Sequence, residues 1–314
     1  HGMGGVGKTT SCLLVAHRID AETEGKRRFP HRVHWLQLSE RASEADVIQR
    51  VCDLATTLSG KLAVAREMTV AVGHLRAAVQ ERSCLVILDD VWEDRWAAVF
   101  IDALQTSPGS CLLFSTRRQD IATRSNVSQC VSVDILRGAT AVEVLMKHAE
   151  ANDKVWADKT GERVQLAVDT CGGLALALAV VGSLVREVGW ESAVDRVRRE
   201  RNAIFSRPVD VLDVVEESKG SLWASLSASY WALDAIHPVL WRERFQALCV
   251  VRQQEQLPLA ALMALWGENK EVVKEIAQTL RDRSLVVLHS EEDDATCTLS
   301  IHDLVVEFLG GPRV

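Results

Sequence analysis

The sequence predicts an α/β protein in which a parallel sheet carries helices on both faces, followed by a helical part and a winged-helix part. Two apolar runs of strand length, 84–88 and 111–115, are typical of central parallel strands covered on both faces. Segments with apolar residues at helical spacing alternate with these runs, which favours right-handed crossover connections. After about residue 136 the strand pattern mostly stops and helical periodicity continues.

Local periodicity predicts the elements of the first part. Alternating polarity predicts a strand over 33–38, and a short apolar run predicts another over 130–133. Apolar residues at helical spacing predict four helices in this part, over 9–19, 43–58, 68–79 and 96–104. A Ser-Pro-Gly turn at 107–109 separates the last of these helices from the strand that follows.

The second part is predicted to be helical until a final pair of strands. The helices expected from spacing are 140–150, 157–170, 174–188, 221–233, 238–251, 258–265 and 269–281. Two strand-like runs, 284–289 and 297–301, flank an acidic turn at 291–294, and this order predicts a winged-helix unit. We therefore expect three domains. They are 1–135 with the sheet and a missing N-terminal strand, 136–219 with helices and a charged linker, and 220–314 with the winged helix.

The composition is that of a globular protein with a mildly acidic charge. The formal net charge is -7, and acidic residues outnumber basic ones after residue 220, so we do not expect nucleic acid as a partner. The cysteines form no CxxC pair or zinc-ligand pattern, which favours buried thiols in a reducing compartment. No signal peptide is visible, and the longest apolar run, 172–185, is too short to span a bilayer. These features predict a cytoplasmic protein without a membrane span.

The segment 2–9 fits the pattern G-x-x-x-x-G-K-[ST] at every fixed position. Glycines let the backbone curl so that successive N–H groups face phosphate oxygens, and the following helix adds its positive dipole end. Lys8 is expected to reach the β- and γ-phosphates, and the Thr9 hydroxyl to ligate Mg²⁺. A chance match in a glycine-rich turn is disfavoured because strand and helix patterns surround the loop. The candidate nucleotide-binding residues of this segment are Gly4, Gly5, Val6, Gly7, Lys8, Thr9 and Thr10.

Charged residues follow the two buried strands. Asp89 and Asp90 come at the end of the first, and adjacent strand residues point to opposite sides. Asp89 is the predicted metal ligand, while Asp90 either polarises an attacking water or fixes a neighbouring group. Arg117 follows the next strand and is predicted to sense a γ-phosphate, with Arg118 either solvated or exchanging roles with it. The alternatives are solvated aspartates at a strand end and a surface arginine pair.

Five motifs occur in a fixed order along the chain. They are the segment 2–10, Leu88-Asp89-Asp90-Val91-Trp92, Thr116-Arg117, Gly173-Leu174-Ala175-Leu176-Ala177 and Ile301-His302-Asp303. In these motifs and their order the chain resembles the NB-ARC proteins. These are STAND-class (AAA+-like) nucleotide switches of plant immune receptors and apoptosome scaffolds. The segments 229–233 and 257–266 are similar to the winged-helix region of that family, so the resemblance covers essentially the whole chain.

The resemblance implies a module with a P-loop NTPase α/β domain, a helical domain and a winged-helix domain. ADP would hold the module closed, and exchange for ATP would open it and allow oligomerisation. The resemblance further implies that Leu174 and Ala175 approach the adenine or sugar side of the nucleotide, and that His302 reaches the β-phosphate of ADP. Ala175 departs from the proline usual in the family and lacks the fixed φ of proline. Ile301 replaces a common methionine, which we treat as neutral.

Three functional hypotheses follow. The first is an ADP/ATP-binding switch with Mg²⁺, slow hydrolysis at most, protein partners and nucleotide-dependent self-association in signalling or defence. The second is a P-loop ATPase or kinase-type enzyme, although no acceptor site or lid can be named. The third is a winged-helix nucleic-acid-binding regulator, which the acidic charge disfavours. A GTPase is disfavoured because the chain lacks an Asn-Lys-x-Asp guanine motif.

Overall fold

A computed structural model describes most of the chain. The described residues are 1–22, 28–38, 40, 42–80, 82–124, 127–150, 165, 168–205, 217–236, 240–251, 256–289 and 297–311. They form two compact units, residues 1–134 and residues 135–314. The predicted division into three domains stays a prediction.

The first unit is built on a parallel sheet of three strands. The strands are β1 (Val33–Gln37), β2 (Leu85–Asp89) and β3 (Cys111–Phe114). Their order in the sheet is β1-β2-β3, and both pairings are parallel. Strand β2 is buried over its whole length, as expected for the central strand of a covered sheet. A buried central strand is therefore confirmed at 84–88. A strand is also present within 111–115, but β3 is at most half-buried and pairs, among the described strands, with β2 alone, so the prediction that it is a central covered strand is wrong.

Helices cover both faces of this sheet. They are α1 (Lys8–Asp20), α2 (Glu44–Ser59), α3 (Met68–Val79), α4 (Asp94–Leu104) and α5 (Gln119–Arg124). Alternate β2 residues belong to different cores because successive strand side chains point to opposite faces. Leu85 and Ile87 cluster with Cys12 of α1, whereas Val86 and Leu88 join the larger core that includes α2, α3 and α4. The α/β class with helices on both faces is thus confirmed.

The segment 130–133 does not form the predicted strand. The backbone N–H of Val133 donates to the carbonyl of His1 at 2.7 Å, and the amino group of His1 donates to the carbonyl of Val131 at 2.7 Å. Gly2 in turn donates to the carbonyl of Thr116 at 3.2 Å. Two bonds to a single residue do not extend into a ladder, and for this reason the apolar pattern alone was misleading here.

The second unit begins with a helical region. Its helices are α6 (Gly138–Ala149), α7 (Ala175–Val188), α8 (Trp190–Phe205), α9 (Glu217–Ile236) and α10 (Leu240–Ala247), followed by a 3₁₀ turn (Leu248–Val250). Helices α6 and α7 approach closely at Gly182, where an added Cβ would lie 2.5 Å from the carbonyl oxygen of Leu145 and 2.7 Å from Cβ of His148. Only a residue without a side chain fits there. The predicted helix over 157–170 lies mostly outside the described residues.

The unit ends in a winged helix. Its elements are β4 (Leu257–Pro258), α11 (Leu259–Trp266), α12 (Lys270–Asp282), β5 (Val287–His289), β6 (Thr298–Ser300) and α13 (Asp303–Gly310). The sheet is antiparallel with the order β4-β6-β5, so it has three strands rather than the predicted two. A two-residue strand such as β4 is too short to show an alternating pattern. The predicted acidic turn at 291–294 lies outside the described residues.

A buried arginine links several helices of this unit. The guanidinium of Arg283, which is 3% exposed, pairs with Glu187 and donates to the backbone carbonyls of Ser229 and Ala232 at 3.2 and 3.4 Å. Its Nε is buried and has no hydrogen-bond partner among the residues that the structure describes. Burial lowers the pKa of Arg283, and Glu187 opposes that shift. One carboxylate therefore compensates a charge that α7, α9 and the end of α12 enclose.

Across the described part of the chain, none of the helices has the length and hydropathy needed to cross a bilayer.

Candidate functional site

The loop before α1 has the backbone shape expected for a phosphate cradle. Gly5 and Gly7 have φ values of 73° and 105°, in the left-handed region that side chains other than glycine seldom adopt. Gly7 is the N-cap of α1, and no side chain caps that helix. No acidic residue lies in its first turn either. The loop therefore presents the positive end of a helix dipole without a side chain of its own to neutralise it.

Lys8 is the first residue of α1 and lies inside the loop. Its side chain is 8% exposed in spite of its charge, and its Nζ donates to the carbonyl of Met3 at 2.7 Å. Burial and the nearby charge of Arg117 lower the pKa of Lys8 to about 8, whereas Asp90 and Asp89 raise it. Lys8 and Arg117 thus act on each other in a region that also contains two carboxylates, and a phosphate bound there would favour the charged form of Lys8.

Thr9 and Asp89 join the loop to the end of β2. The Thr9 hydroxyl lies 2.9 and 3.1 Å from the two carboxylate oxygens of Asp89. The Ser115 hydroxyl donates to Oδ1 of Asp89 at 2.5 Å. Asp89 is fully buried, and burial raises the pKa of its carboxyl while the bonds from Ser115 and Thr9 lower it. A hydroxyl and a buried carboxylate are hard oxygen ligands of the kind Mg²⁺ prefers, so these residues fit that ion.

Asp90 forms a second cluster with Trp92 and Arg117. Its backbone has a φ of 60°, an uncommon conformation for a residue other than glycine. Oδ2 of Asp90 accepts a hydrogen bond from Trp92 Nε1 at 2.8 Å, and Oδ1 lies 3.5 Å from Arg117 Nε. The Arg117 guanidinium lies over the Trp92 ring, 5.0 Å from its centroid. The Asp90 carboxylate is therefore held by a neighbouring arginine and an indole.

The structure distinguishes between the two adjacent arginines. Arg118 is half exposed and pairs with Asp120 at 2.7 Å, which lowers the pKa of that carboxyl. Arg117 instead lies beside Asp90, and its positive charge lowers the pKa of Lys8. Among the remaining loop candidates, Val6 is buried, Gly4 is half-buried and Thr10 is exposed.

Sequence reasoning missed two residues of this site. Ser115 bridges the two aspartates, since its hydroxyl also accepts the backbone N–H of Asp90 at 3.0 Å. Trp92 contacts both Asp90 and Arg117. Their positions held a signal, because Ser115 comes directly after β3 and Trp92 lies two residues beyond Asp90.

Leu174, Ala175 and His302 belong to the second unit. Leu174 is buried and is the N-cap of α7, which begins at Ala175. Gly173 has a φ of 68°, and an added Cβ would lie 2.4 Å from the carbonyl oxygen of Leu136, so glycine is required at that position. The first helical position accepts proline well, and Ala175 occupies it without the fixed φ that proline would bring.

His302 is the N-cap of α13. Its Nδ1 accepts the backbone N–H of Leu304 at 3.1 Å and lies 2.7 Å from Oδ1 of the buried Asp303. One nitrogen cannot accept from an N–H and donate to a carboxylate at the same time. A neutral ring with its lone pair on Nδ1 caps the helix, whereas a ring protonated there pairs with Asp303.

The phosphate loop, the buried lysine and the acidic end of a parallel strand define a P-loop nucleotide-binding protein. Residues 1–155 match the family model described as the NB-ARC domain. Residues 241–309 match the model described as the winged-helix domain of apoptotic protease-activating factor 1-like proteins. Residues 1–155 thus belong to the NB-ARC family of nucleotide-binding domains.

Several curated relatives align over nearly the whole chain. Apoptotic protease-activating factor 1 of Danio rerio is 25% identical, over 98% of this chain and 23% of that protein. The human protein of the same name is 24% identical over 98% and 24%. The putative disease resistance protein RGA4 of Solanum bulbocastanum is 26% identical over 97% and 30%. The chain thus spans between about a quarter and a third of the length of these relatives.

Among solved structures, the chain is similar to the Orc1 protein of Aeropyrum pernix, solved in complex with DNA. The TM-score is 0.43 at 12% identity, over 98% of this chain and 84% of that one. This likeness is too weak to assign a function.

Proposed function

We propose that this module binds ADP or ATP with Mg²⁺ at the loop of α1 and uses the exchange between them as a switch for signalling or assembly. The observation that supports this most strongly is the convergence of the left-handed glycines, the buried Lys8, and the bonded pair of Thr9 and Asp89. A buried ammonium with a lowered pKa beside a second cation is costly in the free protein. Phosphate oxygens would remove that cost.

The residues have distinct roles in this proposal. The backbone N–H groups of 4–10 and the Lys8 ammonium bind the phosphates. Thr9 and Asp89 would hold Mg²⁺, which supplies positive charge against the phosphate oxygens. Arg117 reports whether a γ-phosphate is present, and Asp90 holds Arg117 when it is not. The roles of Leu174, Ala175 and His302 rest on the resemblance to the family alone.

Hydrolysis would serve the switch rather than a metabolic reaction. Asp90 is the candidate for polarising a water, yet its two carboxylate oxygens already contact Arg117 and Trp92. A carboxylate engaged in this way is a poor general base, which supports slow turnover at most. Cleavage of ATP would remove the group that Arg117 contacts and return the module to its ADP form.

A nucleotide can shift the module only as far as its affinities for two conformations differ. A ligand present at a hundred times its dissociation constant stabilises the form that binds it by about 2.7 kcal/mol. Tight ADP binding to a single form is thus enough to hold the resting state. Signalling partners and self-association would follow from the ATP form.

The first experiment measures nucleotide content and affinity. The purified chain is denatured, the released nucleotide is identified, and ADP and ATP binding are measured by calorimetry with and without Mg²⁺. We expect bound or tightly binding adenine nucleotide in the wild type and none retained by Lys8→Ala. Lys61→Ala, at an exposed lysine that follows α2 in the same unit, is the matched control and should bind as wild type. Equal affinity in wild type and Lys8→Ala contradicts the assignment of the loop.

The second experiment tests the switch. Light scattering compares the molar mass of the chain with ADP and with a non-hydrolysable ATP analogue, while phosphate release gives the turnover rate. We expect larger assemblies with the analogue and turnover well below that of metabolic enzymes, for which about 10 per second is typical. Rapid turnover with an unchanged molar mass favours an ATPase or a kinase-type enzyme instead.

A further inference from the structure

Asp90, Trp92 and Arg117 form a closed triangle, which we call the sensor triangle. Trp92 donates to one oxygen of Asp90 at 2.8 Å, and Arg117 lies 3.5 Å from the other. The third side is a cation–π contact between Arg117 and Trp92, with 5.0 Å between the guanidinium carbon and the ring centroid. Each member contacts the other two, so the position of Arg117 depends on both partners.

The backbone explains why Trp92 can reach both partners. The left-handed conformation of Asp90 turns the chain at the end of β2. Val91 N–H then donates to the carbonyl of Ser115 at 2.8 Å, which binds this turn to the strand that leads to Arg117. The Trp92 carbonyl also accepts from Arg118 Nη1 at 3.4 Å. The turn that carries the indole and the segment that carries the guanidinium are therefore fixed to each other.

The contacts of Arg117 with Asp90 and Trp92 are partly shielded from water, which strengthens them. The side chains of Arg117 and Asp90 are 18% and 9% exposed, so solvent screens their interaction only partly. The face of an indole is the strongest aromatic partner for a cation, and its N–H gives the carboxylate a neutral donor. At position 92, phenylalanine would keep a weaker ring face for the guanidinium but lose the N–H donor to Asp90, whereas leucine would lose both.

We propose that Trp92 is a positioning residue for Arg117: it holds the guanidinium beside the end of β3, where Arg117 can discriminate ATP from ADP. The inference rests on the proposed function, in which Arg117 contacts the γ-phosphate. Asp90 neutralises the guanidinium in the absence of that group. The indole supports the guanidinium in either state because a ring face does not compete with a phosphate for N–H donors.

The test is the ratio of ATP affinity to ADP affinity, measured by calorimetry with Mg²⁺. We expect Trp92→Leu to lower this ratio about fivefold and Trp92→Phe about twofold, as fits the loss of a partly buried cation–π contact. ADP affinity should change little, since ADP lacks the group that Arg117 contacts. Arg117→Ala should lower the ratio at least as far, and adding Trp92→Leu to Arg117→Ala should cause no further change.

Trp96→Phe is the matched control. Trp96 is buried in the same unit, and the Arg95 guanidinium lies 4.1 Å from its ring centroid. Trp96 is on α4, however, and packs in the larger core with residues of α2 and α3. Its replacement should lower thermal stability and leave the ATP-to-ADP ratio unchanged. A Trp92→Leu chain that fails to fold does not end the test, since Trp92→Phe keeps the ring and carries its own expected ratio.

The outcomes separate this inference from the proposed function. If Arg117→Ala lowers the ratio while Trp92→Phe and Trp92→Leu leave it unchanged, the positioning role is overturned and the sensor role of Arg117 stands. Equal losses of ADP and ATP affinity in the Trp92 variants mean a structural residue only and also overturn it. If Arg117→Ala leaves the ratio unchanged, the sensor role and this inference fail together. Loss of binding by Lys8→Ala tests the loop separately.

Discussion

Thr9 and Asp89 are 80 residues apart in sequence, yet the Thr9 hydroxyl lies 2.9 Å from an Asp89 carboxylate oxygen. The contact joins the first turn of α1 to the carboxyl end of β2. Parallel strands place their carboxyl ends at one edge of the sheet, and ligand sites of α/β proteins lie at that edge. The pair fixes where a phosphate-bound metal would be held relative to the loop.

Nucleotide affinity should fall as pH rises through about 8. The pKa of Lys8 in the free protein is about 8, so above that pH the side chain must take up a proton before it can pair with phosphate. We expect affinity at pH 9 to be weaker than at pH 7 by up to about tenfold. Calorimetry in buffers of different ionisation enthalpy should detect the proton uptake, and Lys8→Arg should remove the pH step.

The lowered pKa of Lys8 also affects how the stability of the nucleotide-free protein depends on pH. An unfolded lysine keeps its proton up to about pH 10.5, so between pH 8 and pH 10.5 the unfolded state binds more protons than the folded state. Through that window the Lys8 contribution makes the free protein more stable as pH rises. A difference between wild type and Lys8→Met that does not change with pH contradicts the lowered pKa.

Asp89→Asn should abolish the effect of Mg²⁺ on ATP affinity without destabilising the nucleotide-free protein at pH 7. Burial raises the pKa of the Asp89 carboxyl above its unfolded value, so stability falls as pH rises from the unfolded to the folded pKa, and above that range the ionised carboxylate is a net cost to the fold. The amide oxygen can still accept from Thr9 and Ser115. Thermal unfolding gives the stability, and calorimetry with and without Mg²⁺ gives the metal effect. Asp120→Asn, at an exposed position, is the control. Because the pKa of Asp120 is lowered, its ionised form contributes stability, so this substitution should lower the stability of the fold at pH 7.

His302→Ala should destabilise the second unit even if His302 never contacts nucleotide. The side chain caps α13 through the N–H of Leu304, and loss of a cap costs about 1 kcal/mol. His302→Asn should retain most of that stability, since asparagine is an efficient cap. Denaturant titration of both variants checks this. Loss of ADP affinity in His302→Asn at unchanged stability would show a role in binding rather than in capping.

Gly182→Ala should destabilise the packing of α6 against α7 by about 1–3 kcal/mol, because the new Cβ would overlap the backbone of α6. Gly73→Ala is the matched control, since Gly73 is also in a helix, is exposed and has open space around its Cβ position. That substitution should stabilise the first unit by about 0.5–1 kcal/mol. Equal effects of the two substitutions on chemical denaturation would contradict the close approach.

Glu187→Ala should destabilise the second unit more than Arg283→Met does. The first leaves a buried guanidinium without its carboxylate, at a cost of about 2 kcal/mol given that Glu187 is partly exposed. The second removes the charge along with an Nε that already lacks a partner. Urea titrations of both single variants and the double variant give the coupling. A double variant less stable than Glu187→Ala alone would contradict the compensating role of Glu187.

The sequence by itself predicted the elements whose signals are local. The glycines and Lys8 fall within eight residues, and Asp89 follows the apolar run 84–88, which the sequence predicts to be a buried strand. Arg117 could be placed near them because parallel strands end at a common edge. The roles of these residues in nucleotide binding stay predictions, as do the three domain boundaries.

Tertiary structure decided what depends on distant pairing. Ser115 bridges two aspartates of another strand, and Gly182 is required by a carbonyl on a neighbouring helix, so neither has a local pattern. Strand β4 exists only because β6 pairs with it, whereas the apolar run at 130–133 found too few partners to become a strand. Sequence periodicity records which face of an element is apolar. Which element covers that face, and which side chains meet there, is settled only by packing.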